Sequence, residues 1–510
     1  MELHILDIAI FLVFFAIVIG TSMYKSRKEE TEEDFFLASR SLIWPLIGIS
    51  LIAANISTEQ FVGMAGQGAG ITGLAIASYE WMAAVTLVFV AFFFLPKFLS
   101  SGIYTIPEFL EYRYNKTARS IMAVYMMITY VAVTLAAVLY SGALALHTIF
   151  ELDLTMSVWA IGIIAAFYTT WGGLKAVAWA DLFQGSALII GGFIVLILGI
   201  GAVGGFDSFF NANEQKLHMI LPSDHPVLPW TALIIGLWIP NLYYWGLNQY
   251  IAQRALAAKT LRHGQLGVIF AAFLKLIIPF IIVFPGIIAV QLYPDQLSNS
   301  DAAYPLLIKN LVPYGLKGFI FAALAGAVVS SLASMLNSAS TIFTMDLYKE
   351  YINKTPSRKL LVNVGRISTV VFVLIACIIA PGLGDPKFKG IFTYIQEFQG
   401  FISPGVLAAF IFGLLVKKAP KIIGSVALLL NLVIYAALLI WFSDIAFLNR
   451  MAISFIIVLI VMTVITIVKP LDKPIELPVR EKFDMSTSSS IKWMGAIVVA
   501  ATIVLYIIFW

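Results

Sequence analysis

Runs of about 20 or more apolar residues recur from the first segment of the chain to its last. About 20 apolar residues in a helix cross the hydrocarbon core of a bilayer, whereas the strands of a membrane β-barrel alternate apolar and polar residues. The pattern therefore predicts an all-α polytopic membrane protein. We place about 14 transmembrane helices near 3–24, 42–68, 72–98, 119–150, 155–172, 176–204, 228–252, 263–293, 313–348, 360–381, 390–416, 420–442, 446–468 and 491–510.

The distribution of basic residues between the two sides of the membrane agrees with this number of helices. If the amino terminus lies outside, 25 of the 32 Lys and Arg residues fall in or beside cytoplasmic loops and six fall in outer loops. Basic residues collect on the cytoplasmic side of membrane proteins. We therefore expect both termini to face outside.

Composition narrows the class further. Of the 510 residues, 61% are hydrophobic and 12% are charged, compared with about 25% charged in soluble domains. The net charge of +4 is explained by the loops and indicates no nucleic-acid partner. Cys377 is the single cysteine, which excludes an intrachain disulfide and a thiolate metal cluster. No nucleophile or kinase motif is present, so we expect a transmembrane protein that is not an enzyme.

The second span carries an unusual polar patch. Asn55, Ser57, Thr58, Glu59 and Gln60 lie in the middle of residues 42–68, which are otherwise apolar. Polar groups at membrane depth are costly and usually face a cavity or a partner helix. An interrupted helix also frees backbone carbonyls that can coordinate a cation. Hydrogen bonding between helices is the alternative interpretation.

A similar patch lies in the seventh span. Asn241 stands thirteen residues after the beginning of its span, as Asn55 does, and Pro240 and Gly246 bracket it. Interrupted helices at matching places in two halves indicate an inverted repeat with a transport site between the halves. We therefore expect one domain over 1–510, divided into an extra span at 3–24, repeats at 42–205 and 228–416, and three extra spans at 420–510.

Two charged residues lie deep inside spans. Glu80 is in the third span and Lys275 in the eighth, each far from the membrane surface. A buried carboxylate must be paired, protonated or bonded to a ligand. A structural salt bridge is one interpretation, and a cavity for a neutral ligand with many hydroxyls is the other. Planar hydrogen-bonding groups and aromatic rings that suit a sugar are supplied by Asn55, Gln60, Asn241, Tyr244, Trp245 and Gln396.

The ninth span carries hydroxyl groups on one helical face. Ser330, Ser334 and Ser338 follow at intervals of four residues, with Ser331 beside them. Such hydroxyls often bond only to the carbonyl four residues earlier. The alternative is Na⁺ coordination together with freed carbonyls near residues 53 and 56. Asp181, near the inner end of the sixth span, is either an interfacial acid or a step on the path of an ion.

Several motifs resemble one family. The stretches 51–64, 78–81, 104–108, 241–246, 329–338 and 394–397 are similar to those of the sodium/solute symporter family, and most like its bacterial sodium/galactose symporters, which are related to sodium–glucose cotransporters. The resemblance covers the whole chain. It implies fourteen spans in a leucine-transporter-type fold with a five-plus-five inverted repeat, both termini outside, alternating access, and location in the bacterial inner (plasma) membrane.

The resemblance also implies roles for individual residues. It places sugar contacts at Asn55, Gln60, Glu80, Asn241, Lys275 and Gln396. It places an inner gate at Tyr244 and Trp245, an outer gate at Met64 and Phe392, Na⁺ ligands at Ala53, Ile56, Ala327, Ser330 and Ser331, and the inward ion path at Asp181. At Ala83 the chain departs from the pattern of the bacterial sodium/galactose symporters, which have a serine after the Tyr-Glu-Trp-Met run.

These observations predict Na⁺-coupled symport of a hexose, galactose or glucose. The expected partners are the sugar, Na⁺ and the bilayer, with no obligate protein partner. One ion site is visible, which favours one Na⁺ per sugar. The alternatives are a Na⁺ symporter for another solute, such as a polyol, inositol or sialic acid, and an uncoupled sugar sensor.

Overall fold

The computed structural model describes residues 4–26, 40–103, 105–169, 174–297, 299–388, 390–477, 479 and 486–510. The regular structure in these segments is helical, with one isolated bridge between Leu42 and Ala258 and no β-strand. Helices of the amino-terminal part are α1 (Ile5–Ser26), α2 (Trp44–Asn55), α3 (Gln60–Ala69), α4 (Gly73–Ser101), α5 (Ile106–Arg113), α6 (Lys116–Phe150), α7 (Leu154–Thr169), α8 (Leu174–Ala202) and α9 (Phe206–Ala212).

The remaining helices follow in the same order. They are α10 (Trp230–Ile234), α11 (Trp238–Leu242), α12 (Gln249–Leu256), α13 (Leu261–Leu292), α14 (Ala303–Leu311), α15 (Leu316–Ile352), α16 (Arg358–Ile379), α17 (Ile391–Gln399), α18 (Ser403–Leu415), α19 (Ile423–Trp441), α20 (Phe447–Val468) and α21 (Ser489–Ile508). A π-helical turn, Tyr243–Leu247, connects α11 to the segment before α12.

The number of membrane-crossing helices is close to the predicted one. In the described part of the chain, ten helices are long and apolar enough to cross a membrane, and two bent pairs bring the number to twelve. The other two predicted spans correspond to α7, which is shorter, and to residues 228–252, which are divided into short helices. The total of fourteen therefore stays a prediction.

The predicted interruption of the second span is confirmed. Helix α2 ends at Asn55, and α3 continues after a break with a bend of 60°. A second bend, of 44°, separates α17 from α18. It lies inside the region 390–416, for which the sequence indicated a continuous span.

A side chain from another helix stabilises this second break. Asn431 of α19 donates hydrogen bonds to the carbonyls of Gly400 and Phe401, at 3.3 and 2.7 Å. Ser454 donates in turn to the Asn431 side-chain oxygen, at 2.6 Å. Carbonyls that lack helical partners need such donors when no water is near. The break therefore holds α17 at a fixed angle to α18.

Helix α13 lies at the centre of the packing. Its 32 residues contact α2, α3, α4, α8 and α21. Glycines allow the closest approaches: a Cβ atom at Gly286 would stand 2.0 Å from the Ala65 carbonyl oxygen. Lys275 extends from the middle of α13 toward the break between α2 and α3. The long helix thus brings a cation to the interrupted one.

Candidate functional site

A cavity lies where the interrupted helix meets α4, α11 and α17; we call it the central cavity. Five of the six predicted sugar contacts line it, namely Asn55, Gln60, Glu80, Asn241 and Gln396. The five come from four separate parts of the chain. The structure therefore brings them together, although their role in binding stays a prediction.

The sixth predicted contact, Lys275, lies behind the wall of the cavity. Its fully buried ammonium group donates to the side-chain oxygens of Asn55 and Glu80, and its Nζ stands 4.7 Å from the centroid of the Trp245 ring. The salt bridge that the sequence suggested is thus present. Because both acceptor residues also face the cavity, the same bridge orients two side chains of its wall.

Three amide groups at the central cavity each have one polar atom without a partner in the described part of the chain. Gln60 Oε1, Asn241 Nδ2 and Gln396 Oε1 are buried and make no hydrogen bond with the described residues. A buried polar atom without a partner costs about 1–3 kcal/mol. A ligand with several hydroxyl groups would supply the missing donors and acceptors.

Aromatic groups lie on the side predicted to face the cytoplasm. The Tyr244 hydroxyl accepts from Asn55 Nδ2 at 3.2 Å and bonds to the Tyr250 hydroxyl at 2.5 Å. The Tyr244 and Trp245 rings meet edge to face, with centroids 5.1 Å apart. These contacts connect the break after α2 to the start of α12, and the role of Tyr244 and Trp245 as an inner gate stays a prediction.

The predicted outer gate is only partly at the central cavity. Phe392 lines it and meets Tyr79 edge to face at 4.9 Å. Met64 is fully buried at the end of the first turn of α3 and is not among the lining residues. Its neighbour Gly63 lies against Ile391 and Phe392.

The break after α2 frees the backbone oxygens that the sequence suggested for Na⁺. The Ser57 amide donates to the Asn55 carbonyl, and the Gln60 amide donates to the Ser57 carbonyl. A continuous α-helix would direct these amides to the carbonyls of Ala53 and Ile56, four residues earlier. Those two carbonyls are therefore released from the helical pattern, which is the device by which interrupted helices bind cations.

Helix α15 packs against α2 and carries the other predicted ligands. Ala327, Ser330 and Ser331 are all buried, and Ser331 Oγ has no partner in the described part of the chain. Ser330 Oγ instead donates to Asp181 Oδ1 at 2.6 Å. One of the two predicted hydroxyl ligands is thus available, and the other is held by a carboxylate.

Asp181 is fully buried between helices and is not exposed at the protein surface. Its Oδ2 accepts from Ser50 at 2.5 Å and from Arg254 at 3.0 Å. Arg254 also donates to Ser334 at 3.3 Å. These bonds are between different helices, so neither Ser330 nor Ser334 uses the local backbone bond that was the alternative. The role of Asp181 in ion movement remains a prediction.

Other residues of the central cavity were not assigned from the sequence. They include Glu59, whose carboxylate accepts from Ser57, and Tyr79, Asn248 and Tyr250. Glu59 had a detectable signal, because it is a carboxylate in the polar patch of the second span. Tyr250 and Asn248 carried no such signal in the sequence, since aromatic and polar residues are common at span ends.

A group of polar contacts lies on the side predicted to face outside. Gln67 donates to Thr393 at 3.2 Å, and Thr72 donates to Gln67 at 3.1 Å. Asp301, in the segment between α13 and α14, accepts from the Ile391 amide at 3.0 Å, while its Oδ1 has no partner among the described residues. Burial raises the Asp301 pKa from 3.8 to about 6, and the Ile391 amide partly opposes this shift.

These contacts predict an acid-sensitive outer closure. While buried, the Asp301 carboxyl holds its proton more tightly than when hydrated, so acid stabilises the closed arrangement and this effect is lost as pH rises through about 6. Uptake should therefore be slower at pH ~5 than at pH ~7.5, and Asp301→Asn should remove this difference. Initial uptake rates of both proteins across this range test the prediction. An equal acid dependence in the variant would contradict it.

The amino-acid sequence of the chain is similar to those of known proteins. Residues 35–427 match the model of the Sodium:solute symporter family. The chain is 48% identical to a "Sodium/glucose cotransporter" of Vibrio parahaemolyticus, over 83% of this chain and 84% of that one. It is 33% identical to a "Sodium/myo-inositol cotransporter 2" of Oryctolagus cuniculus, over 81% of this chain and 66% of that one.

The fold also matches a solved structure. A Na⁺-coupled sialic acid symporter in a substrate-bound outward-open state superposes with a TM-score of 0.81, at 22% identity, over 94% of this chain and 100% of that one. At this level of identity the likeness concerns the fold. It shows that the two chains share the helical arrangement described above.

Proposed function

The chain belongs to the sodium:solute symporter family, and we propose that the solute which it carries together with Na⁺ is a hexose, galactose or glucose. The protein is a multi-pass membrane transporter and not an enzyme, and its coupling ion is Na⁺. The observation that carries the hexose proposal is the set of unpartnered amide groups facing the central cavity.

The charges around the central cavity favour a neutral solute. Lys275 is paired with Glu80, and Glu59 adds a second carboxylate nearby. No unpaired cation among the lining residues is available to bind an anionic solute. A carboxylated sugar such as sialic acid would find no unpaired cation there, whereas a neutral hexose requires none.

A neutral cyclic polyol is the second candidate. Relatives of the chain include sodium/myo-inositol cotransporters, and myo-inositol presents hydroxyl groups in a ring much as a hexose does. The higher identity to a sodium/glucose cotransporter supports the hexose. The order of preference among these solutes is tested by adding unlabelled glucose, myo-inositol or sialic acid and measuring how far each reduces the uptake of labelled galactose. Stronger competition by myo-inositol or sialic acid than by either hexose would overturn the proposal.

Coupling follows from the position of the proposed ion site. The released carbonyls of Ala53 and Ile56 lie at the break after α2, and Ser331 lies on α15. An ion bound between them would hold the interrupted helix against α15. Asn55 and Gln60, on the two sides of the same break, line the central cavity. Sodium would thus order part of the sugar site, and by linkage the sugar must favour sodium binding equally.

The energy available is sufficient for accumulation. One Na⁺ moving through ~100 mV releases about 2.3 kcal/mol, and a tenfold Na⁺ gradient adds about 1.4 kcal/mol. Together these support sugar accumulation on the order of several hundredfold for one coupled ion.

We expect a substitution at Ala83 to change the affinity of the protein for its sugar. Ala83 is buried and lies one helical turn after Glu80 in α4, so both occupy the same face. We expect Ala83→Ser to lower the half-saturating galactose concentration roughly threefold to tenfold, the value of one added hydrogen bond. Saturation curves of the two proteins for galactose and glucose test this. Unchanged values for both sugars would show that position 83 does not contact the solute.

A further inference from the structure

A second cavity, larger than the first, lies beyond the Tyr244 gate; we call it the vestibule. Its volume is about 220 Å³, compared with about 60 Å³ for the central cavity. Helices α5, α6, α12 and α15 form its walls. On the predicted topology it lies on the cytoplasmic side of the protein.

The walls of the vestibule carry the same kinds of group as the central cavity. A paired carboxylate and cation, Asp346 and Arg119, stand with a second carboxyl group, that of Glu108. Two glutamines, Gln249 and Gln253, complete the polar wall, and Gln249 Oε1 accepts from the Ile106 amide at 2.7 Å. The central cavity likewise combines the Glu80–Lys275 pair with amide side chains. Charge-paired groups and amides together offer both donors and acceptors, which is what neutral hydroxyl groups require.

The Asp346 carboxylate is incompletely satisfied. Its side chain is buried, and Oδ1 accepts from Arg119 Nε at 2.8 Å. Its Oδ2 has no partner in the described part of the chain. Arg119 is shared with Glu111, to which it donates at 2.5 Å. A buried carboxylate oxygen without a donor is costly. Because the Asp346 side chain is fully buried behind the vestibule wall, a hydroxylated solute would lower that cost only if the carboxylate turns toward the vestibule.

The two cavities share a wall. Tyr250 of α12 lines the central cavity, whereas Gln249 and Gln253 of the same helix line the vestibule. The hydrogen bond between the Tyr244 and Tyr250 hydroxyls lies between them. A solute that passes this bond therefore enters a space already lined by groups that can bind it.

We propose that the vestibule is a second binding station for the same neutral polyhydroxylated solute, occupied on the cytoplasmic side of the Tyr244 gate. This inference rests on the proposed function for the identity of the solute. The station would delay rebinding at the central cavity by holding the solute after the gate closes behind it.

Cysteine protection tests the proposal directly. Thr341 lines the vestibule and is half-buried, and the single native cysteine, Cys377, is buried. Alkylation of purified Thr341→Cys protein with a small maleimide therefore reports on the vestibule. When galactose is present at twice its dissociation constant for the vestibule, a third of the vestibules remain free. Alkylation of the cysteine at position 341 should therefore slow about threefold. Tyr351→Cys, an exposed position outside the vestibule, is the matched control and should be unaffected.

The same experiment in a Gln396→Ala background separates the two cavities, because Gln396 lines the central cavity and its replacement leaves the Glu80–Lys275 pair intact. Protection that persists there supports a second station, because the central cavity is disabled. Protection that disappears with Gln396→Ala, or that is absent in both backgrounds while Na⁺-driven galactose uptake is present, overturns the second station and leaves the proposed function standing. Absence of both uptake and protection overturns both.

Discussion

Glu80→Ala is expected to abolish measurable sugar uptake. The change removes an acceptor from the wall of the central cavity and leaves the buried Lys275 ammonium with Asn55 as its remaining partner. Loss of a charged hydrogen bond to the solute costs about 1.5–3 kcal/mol, and displacement of Lys275 and Asn55 adds to it. Together these predict a loss of roughly a hundredfold or more in uptake at low sugar concentration.

A double variant separates transport from stability. Breaking a buried ion pair by removing one partner costs about 3–5 kcal/mol, so Glu80→Ala alone should also lower the melting temperature. Glu80→Ala with Lys275→Met removes both charges and should recover most of the stability without uptake. Gln396→Ala, which leaves the ion pair intact, should lose uptake at nearly unchanged stability. Recovery of uptake in the double variant would show that the pair is only structural.

The second large effect is expected at the ion site. Ser331→Ala removes a buried hydroxyl that has no partner among the residues described by the structure, so the change should disturb little except an ion bound there. A hydrogen bond or contact to a charged group is worth about 1.5–3 kcal/mol. The Na⁺ concentration for half-maximal uptake should therefore rise roughly tenfold or more.

A neighbouring serine provides the control for this change. Ser340 is also buried on α15, but its hydroxyl donates to the backbone carbonyl of Asn337 at 3.1 Å. Ser340→Ala should leave the Na⁺ dependence unchanged. Sodium titrations of uptake at saturating sugar compare the two variants. An unaltered Na⁺ dependence in Ser331→Ala would remove Ser331 from the ion site.

The features predicted from the sequence are those that carry an obvious energetic cost in a membrane. The break after Asn55 could be predicted because five polar residues interrupt an apolar span. The Glu80–Lys275 pair could be predicted because each charge stands alone within its span. In both cases a local cost requires a compensating contact, which the structure supplies.

Other features depend on contacts between distant residues. Gly400 and Pro404 favour an interruption within 390–416, but the angle of the bend between α17 and α18 is held by Asn431 of α19. Arg254 lies at a span end, where a basic residue is commonly a loop charge, yet it is buried against Asp181. The vestibule joins residues that are far apart in sequence. These contacts require the packed structure, since a single span does not show which distant residues it meets.

The most direct test of the account is uptake of labelled galactose into proteoliposomes with an inward Na⁺ gradient, compared with a matched K⁺ gradient. Coupled symport predicts that internal galactose rises above its equilibrium level only with Na⁺, and that Glu80→Ala abolishes this rise. Binding of galactose without accumulation above equilibrium in either gradient would contradict coupled hexose transport and would favour an uncoupled sugar-binding protein.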